Sequence, residues 1–259
     1  MNNLALGAKI ALFSAVVVAL ALVIVIAQSS SRAFDAARSG GISQMRSEIR
    51  TAANDMSEVV ETALTASSGF SDMTAAVARN GKTSGSSDGR EVLSQALRES
   101  LVDHESWFGT WTLARPNVLG GSDADWIGKS GGDAAGIYTP YWVRDGSDIV
   151  MDTDADYDAT GDFGEDFYMV SETTKLPAVL EPYVETLADD SEVVMTSATA
   201  PVIVDGKVIA VSGVDLELGA LQSRVAEEKP FGVGKVCLAR DPYVCQNPVL
   251  ARDLLYTLW

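Results

Sequence analysis

Apolar positions fall into three regimes along the chain. From Ile10 to Ala27 the sequence reads IALFSAVVVALALVIVIA, 18 residues without a charge. As a helix this run spans roughly 27 Å, close to the thickness of a bilayer's hydrocarbon core. Its lack of any polar face argues against a buried helix of a soluble core. From Ile42 to Val77 the apolar residues recur in steps of three and four: Ile42, Met45, Ile49, Ala52, Met56, Val59, Ala63, Ala66, Phe70, Met73 and Val77. That is a heptad seam on one long helix, with Gly40 and Gly41 as a weak point before it. The seam fits pairing with a second chain, and it equally fits packing on the protein's own sheet. From Ser106 onward the period changes to that of strands.

Turn signals divide the remainder. NGKTSGSSDG (Asn80–Gly89) reads as a loop, and REVLSQALRESL as a short amphipathic helix with Leu93, Leu97 and Leu101 on one face. SWFGTWTLA reads as a strand, and YTPYWVRDGSDIVM as a strand and turn. PVIVDGKVIAVSGVDLEL (Pro201–Leu218) reads as a hairpin turning at Asp205-Gly206. A long helix followed by a mainly antiparallel sheet is an α+β pattern.

Charge narrows the choice of partner. The 259 residues carry a formal net charge of −17, with a sequence pI of about 4.3. Phosphate contacts need Lys and Arg, so nucleic acid is excluded as a partner, whereas a cationic ligand or simple solubility suits the acid. There is a single histidine, His104, and no C-x-x-C, H-E-x-x-H, G-x-S-x-G or Walker loop, so neither a catalytic site nor a cofactor is expected. Lys9 before the apolar run and Arg32 after it favour a cytoplasmic N-terminus and an exported remainder. A signal peptide cleaved after Ala27 is the competing reading, and the run is long for one.

DADYDATGDFGE (Asp154–Glu165) has the acid spacing of a helix–loop–helix calcium loop. Asp154, Asp156, Asp158 and Glu165 are its candidate ligands. The sharp turn at its sixth position needs glycine, and this chain has Ala159 there; Gly161 stands where an apolar residue belongs. No metal is therefore expected. Nine acids nonetheless fall between Asp145 and Asp166 with no Lys or Arg among them, beside Trp142, Phe167 and Tyr168. Carboxylates near aromatic faces are a means of holding amines and quaternary ammonium groups. Asp215 shares a strand face with Ile209, Val211 and Gly213. An acid closing an apolar row must find a donor or a cation, behind a glycine that opens space. Capping a helix beginning at Leu216 is its other available role.

The ordered set LALGAKIALFSAVVVALALVIV, WFGTWTLARPNVLGGSDADW, PYWVR, DFYMVSETTKLPAVLEPYVET and TSATAPVIVDGKVIAVSGVDLELGALQ resembles the periplasmic double-Cache sensor region of bacterial methyl-accepting chemotaxis proteins. The resemblance implies a long helix carrying a PAS-like, membrane-distal ligand-binding module, then a smaller membrane-proximal one. The expected division is 1–9 cytoplasmic, 10–27 transmembrane, 28–80 long periplasmic helix, 81–228 distal module and 229–259 the truncated start of the proximal module. It also implies an inner-membrane location with the sensor in the periplasm or outside the cell, and a homodimer through the long helix.

By resemblance the family's aromatic pair before the central helix falls on Phe167 and Tyr168. The arginine that clamps a ligand carboxylate in amino-acid-binding members is replaced by Gly164, Glu165 and Asp166. The two amine-binding acids fall on Glu185, after Tyr183, and on Asp215. Losing the arginine while keeping the acids implies an amine without a carboxylate clamp, held by Tyr141, Trp142, Asp166, Phe167, Tyr168, Tyr183, Glu185 and Asp215, with no catalysis. Sensor kinases and cyclases share such an ectodomain, and a calcium-binding exported module is the alternative of another class. The resemblance also implies a second span and a signalling coiled coil that are not in this sequence. A fragment, a frameshifted gene and a shortened receptor all fit. Cys237 and Cys245, eight positions apart, are free to pair in an oxidising periplasm.

Overall fold

A computed structural model describes residues 6–84, 88–153, 164–187 and 191–227. The calcium-like window up to Phe163 and both cysteines lie outside them. The chain divides into two compact units, Met1–Thr51 and Ala52–Trp259. Helix α1, Leu6–Ser84, contributes to both and runs unbroken through Gly40 and Gly41. It also continues through Asn80–Ser84, where a loop was expected.

In the first unit, α1 is long and apolar enough to cross a membrane, with a mean hydropathy of 3.2 over its most apolar window and none of that window buried. Ile42, Met45 and Ile49 of the heptad seam are exposed there.

In the second unit the seam is used internally. Ala52, Met56, Ala63 and Phe70 are buried, the last three in one core with Leu97, Leu101, Trp107, Ala198, Val214 and Leu216. Small side chains let α1 approach the sheet closely: Ser67 Oγ donates to the Ala198 carbonyl at 2.6 Å and Ser71 Oγ to the Pro201 carbonyl at 2.7 Å. Helix α2, Asp88–Asp103, buries Leu93, Leu97 and Leu101 as its spacing requires.

The sheet has seven strands, all pairing antiparallel: β1 Gly109–Ala114, β2 Tyr141–Asp145, β3 Asp148–Asp152, β4 Ala178–Val179, β5 Tyr183–Thr186, β6 Glu192–Val204 and β7 Lys207–Glu217. Their order is β3-β2-β1-β7-β6-β4, with β5 also on β6. Asp205 and Gly206 turn the β6–β7 hairpin with φ of +52° and +77°, the left-handed pair of a type I′ turn. This is the α+β architecture expected.

Two further local expectations fail. DFYMVSE lacks an obvious helical period, yet α3 spans Asp166–Thr174, capped at its C-terminus by Lys175 in the left-handed region. It is nine residues long and buries only Tyr168 and Ser171, too few contacts to write a period. Phe167 and Tyr168 therefore lie in the first turn of that helix rather than before it. At the other end, β7 continues to Glu217 and α4 occupies Leu218–Glu227. Asp215 is thus two residues inside a strand and caps nothing.

Strand alternation gives the sheet two faces. Thr110, Trp142, Ala198, Val214 and Leu216 face α1 and α2; Thr110 Oγ1 donates to the Leu97 carbonyl at 2.9 Å, and Trp142 Nε1 to Ser94 Oγ at 3.1 Å. The opposite face carries Trp111, Leu113 and Val211, which pack with Tyr168 of α3. Ser171 of α3 meets Thr199 of β6 on this face, their hydroxyl oxygens 2.7 Å apart.

Candidate functional site

The α3-facing side of the sheet brings four chain segments to Asp215. The register sets Gly109 of β1 and Ser197 of β6 on either side of it, with Trp111 opposite Gly213 two pairs further along, on the same face. Trp111 is also opposite Tyr141 of β2. Asp215 is therefore at the centre of a row that no short sequence window contains.

Asp215 is 3% exposed. Its Oδ1 accepts from Trp111 Nε1 at 2.9 Å and from Ser197 Oγ at 2.6 Å. The Tyr141 ring packs over Gly109, the residue paired with Asp215. Tyr183 Oη is 2.7 Å from Ser197 Oγ. Since Ser197 gives its proton to Asp215, the order is Tyr183 to Ser197 to Asp215, a chain polarised toward the carboxylate.

The electrostatics follow from burial. Loss of water pushes the Asp215 carboxyl up to about 6, and the hydrogen bonds from Ser197 and Trp111 hold it down against that rise. Tyr141 and Tyr183 are raised well above the usual phenol range, first by burial and then by the negative field of Asp215, to which Glu185 adds. Among the described residues, none of the charges acting on these three groups is a cation. A carboxylate in such a setting calls for a proton or for a positive charge from outside.

The rings are held by backbone. A Cβ on Gly213 would fall inside the Trp111 indole, and one on Gly109 inside the Tyr141 ring. The space at Gly213 is therefore filled by Trp111 and is not open for a ligand. Phe167 packs edge-on to Trp111, centroids 5.6 Å apart, and lies 6.3 Å from the Tyr183 ring. Phe167 thus bridges Trp111, which donates to Asp215, and Tyr183, which reaches Asp215 through Ser197.

Of the residues expected at a site, Tyr141, Phe167, Tyr183 and Asp215 come together, with Glu185 on the same strand face as Tyr183. Tyr168 is fully buried next to Trp111, as core. Asp166 is exposed at the start of α3. Trp142 is on the other face, in contact with Ser94 and 5.7 Å from the Arg98 guanidinium. It neighbours Tyr141, and adjacent strand residues point oppositely, so only one of the two reaches Asp215.

Arg144 also lies away from the site: its guanidinium donates to the carbonyls of Leu101 at 2.6 Å, Trp107 at 2.8 Å and His104 at 3.1 Å, tying down the end of α2. Of the candidate calcium ligands, Asp154, Asp156 and Asp158 lie outside the described residues. Glu165 is exposed, and its carbonyl starts α3 by accepting from the Tyr168 and Met169 amides. Among the described residues no cluster of three metal-ligating side chains exists.

Trp111 and Ser197 were not anticipated. The strand pattern of SWFGTWTLA places Trp111 on a face, but its partner is 104 residues away.

Comparison with known proteins supplies the remaining observations. The sequence family described as methyl-accepting chemotaxis protein-like, first PDC sensor domain, matches residues 93–223, half of the chain. Methyl-accepting chemotaxis protein TlpQ of Pseudomonas aeruginosa is 28% identical over 162 residues, covering 58% of this chain and 22% of TlpQ. The chain therefore spans about a fifth of that relative's length. The solved structure of "Methyl-accepting Chemotaxis protein X" superposes with a TM-score of 0.58 at 29% identity, covering 72% of this chain and 66% of that one.

Proposed function

The chain belongs to the methyl-accepting chemotaxis protein-like family of first PDC sensor domains, and from that premise we propose that it binds a small cationic amine at the Asp215 cluster. The observation that carries this reading is a buried carboxylate beside the aromatic cluster of Trp111, Phe167 and Tyr183, with no counter-ion among the described residues. Ring faces attract a cation through their quadrupoles and the carboxylate neutralises it. Arg144, three residues from Tyr141, is committed to three carbonyls, which removes it as a clamp for a ligand carboxylate.

The role is sensing rather than catalysis, in the extracytoplasmic part of a chemotaxis receptor. Residues 10–27 anchor the chain in the inner membrane, and Ile42, Met45 and Ile49 offer a seam to a second copy. N-terminal sequencing of the mature protein tests the anchor, and a chain starting at Gln28 refutes it. Titration calorimetry of the full chain in detergent with a panel of small amines tests the site. Asp215→Asn should weaken binding roughly ten- to a hundredfold, because a hydrogen bond to a charged group is worth about 1.5–3 kcal/mol. Unchanged affinity in the folded variant would place the site elsewhere. A parent that binds carboxylates and no amine would overturn the ligand class.

A further inference from the structure

The structure assigns Met151 as a site of reversible two-electron oxidation that helix α2 reads: a peroxide converts its thioether to a sulfoxide, and Ser94 carries the change into α2.

Met151 lies on β3, at one edge of the sheet, and is 41% exposed. The register sets it directly opposite Trp142 of β2, so both side chains are on the face toward α2. From α2, Ser94 reaches both. It is 4% exposed; its hydroxyl donates to Met151 Sδ at 3.7 Å, and its oxygen accepts from Trp142 Nε1 at 3.1 Å. The order is Trp142 to Ser94 to Met151, and the last member is a thioether, a weak acceptor. Met45, Met73 and Met169 are exposed to a similar degree, but among the described residues only Met151 has its sulfur hydrogen-bonded.

Oxidation changes that acceptor. Ser94 engages one lone pair of the sulfur, and the second remains free to attack an oxygen of hydrogen peroxide. The O–O bond breaks, and the hydroxide released takes the proton from the transferred oxygen and leaves as water. The sulfur gives up two electrons and the peroxide takes them, so thioether and peroxide become sulfoxide and water. The sulfoxide oxygen is a strong acceptor standing beyond the sulfur, and the Ser94 hydroxyl must turn to meet it or lose its partner. Either move disturbs the bond from Trp142 and the turn of α2 between Leu93 and Leu97, whose side chains belong to the core.

The test is hydrogen-exchange mass spectrometry of the full chain in detergent before and after hydrogen peroxide, with peptide masses reporting which methionines are oxidised. Met151 should be oxidised along with Met45, Met73 and Met169, and the α2 amides around Ser94 should exchange roughly fivefold faster, the shift that one net hydrogen bond carries. Methionine sulfoxide reductases for both sulfoxide epimers should restore the original rate. Met151→Leu, a volume-conserving change at an exposed edge position, should abolish the response while the other three methionines still oxidise. Ser94→Ala should let Met151 oxidise and leave exchange in α2 unchanged by it. Met151 remaining reduced when the other three are oxidised would overturn the inference. So would an unchanged α2 in the oxidised parent, or a response that survives in Met151→Leu or Ser94→Ala. The Asp215 cluster is on the opposite face of the sheet, and its reading stands or falls separately.

Discussion

Asp215→Asn should make the ligand-free protein more stable at neutral pH while weakening its binding of an amine. In the fold the Asp215 carboxyl titrates at about 6, against 3.8 for the free side chain, because burial penalises its charged form. Below pH 3.8 the group is protonated in both the folded and unfolded chain, so the carboxyl costs the fold nothing. Between 3.8 and 6 the unfolded chain loses its proton first, and stability falls as pH rises. Above 6 the full cost is present. With about two units between the two values and 1.36 kcal/mol per unit, that cost is about 3 kcal/mol. Asparagine has the same shape, still accepts from Trp111 and Ser197, and never ionises.

Melting curves of parent and variant from pH 4 to pH 8, compared as differences, cancel every other titrating group. The variant's advantage should grow by about 2 kcal/mol across pH 4–7, part of the cost being present already at pH 4, and for a domain of this size that is about 4–8 °C in Tm. Saturating amine should close the gap at pH 7.5 by stabilising only the parent. A difference curve flat with pH would show that Asp215 is not a desolvated charge, and the case for a cation site would lose its basis.

Three further outcomes follow from the same structure. Gly213→Ala should displace the Trp111 indole from its bed and from Asp215, lowering stability by about 1–3 kcal/mol and weakening amine binding; parent-like melting and titration would show that the contact is not tight. Arg90→Met should cost about 3–5 kcal/mol, because it leaves the buried Asp123 carboxylate, 2.6 Å from the Arg90 guanidinium, without its partner; a loss under about 1 kcal/mol in denaturant unfolding would contradict this. Micromolar calcium should not raise Tm, since Ala159 and Gly161 depart from a calcium loop; a calcium-dependent rise that disappears in Glu165→Gln would reverse that expectation.

Period and turn chemistry carried most of the fold in advance. The apolar run, the seam, the three leucines of α2 and the Asp205-Gly206 hairpin are local patterns, and each became the element its spacing required. The errors lie where a longer-range contact decided. α3 is too short to write a helical period, and its helicity is set by packing Tyr168 and Ser171 onto the sheet. Tyr141 and Trp142 look equivalent in sequence; the pairing of β1 with β2 and β7 sends one toward Asp215 and the other toward α2.

Asp215 shows the same limit most sharply. Alternation puts it on a face with Val211 and Gly213, and this is legible. Whether such an acid caps a helix or forms a site depends on where the strand stops. β7 runs two residues past Asp215, so the carboxylate meets side chains of β1 and β6 instead of the amides of α4. A cap would have been satisfied by its own chain and left in contact with water. Placed inside the sheet, the same residue keeps a charge that two hydrogen bonds orient but none neutralises, and that charge is what a cationic ligand would complete.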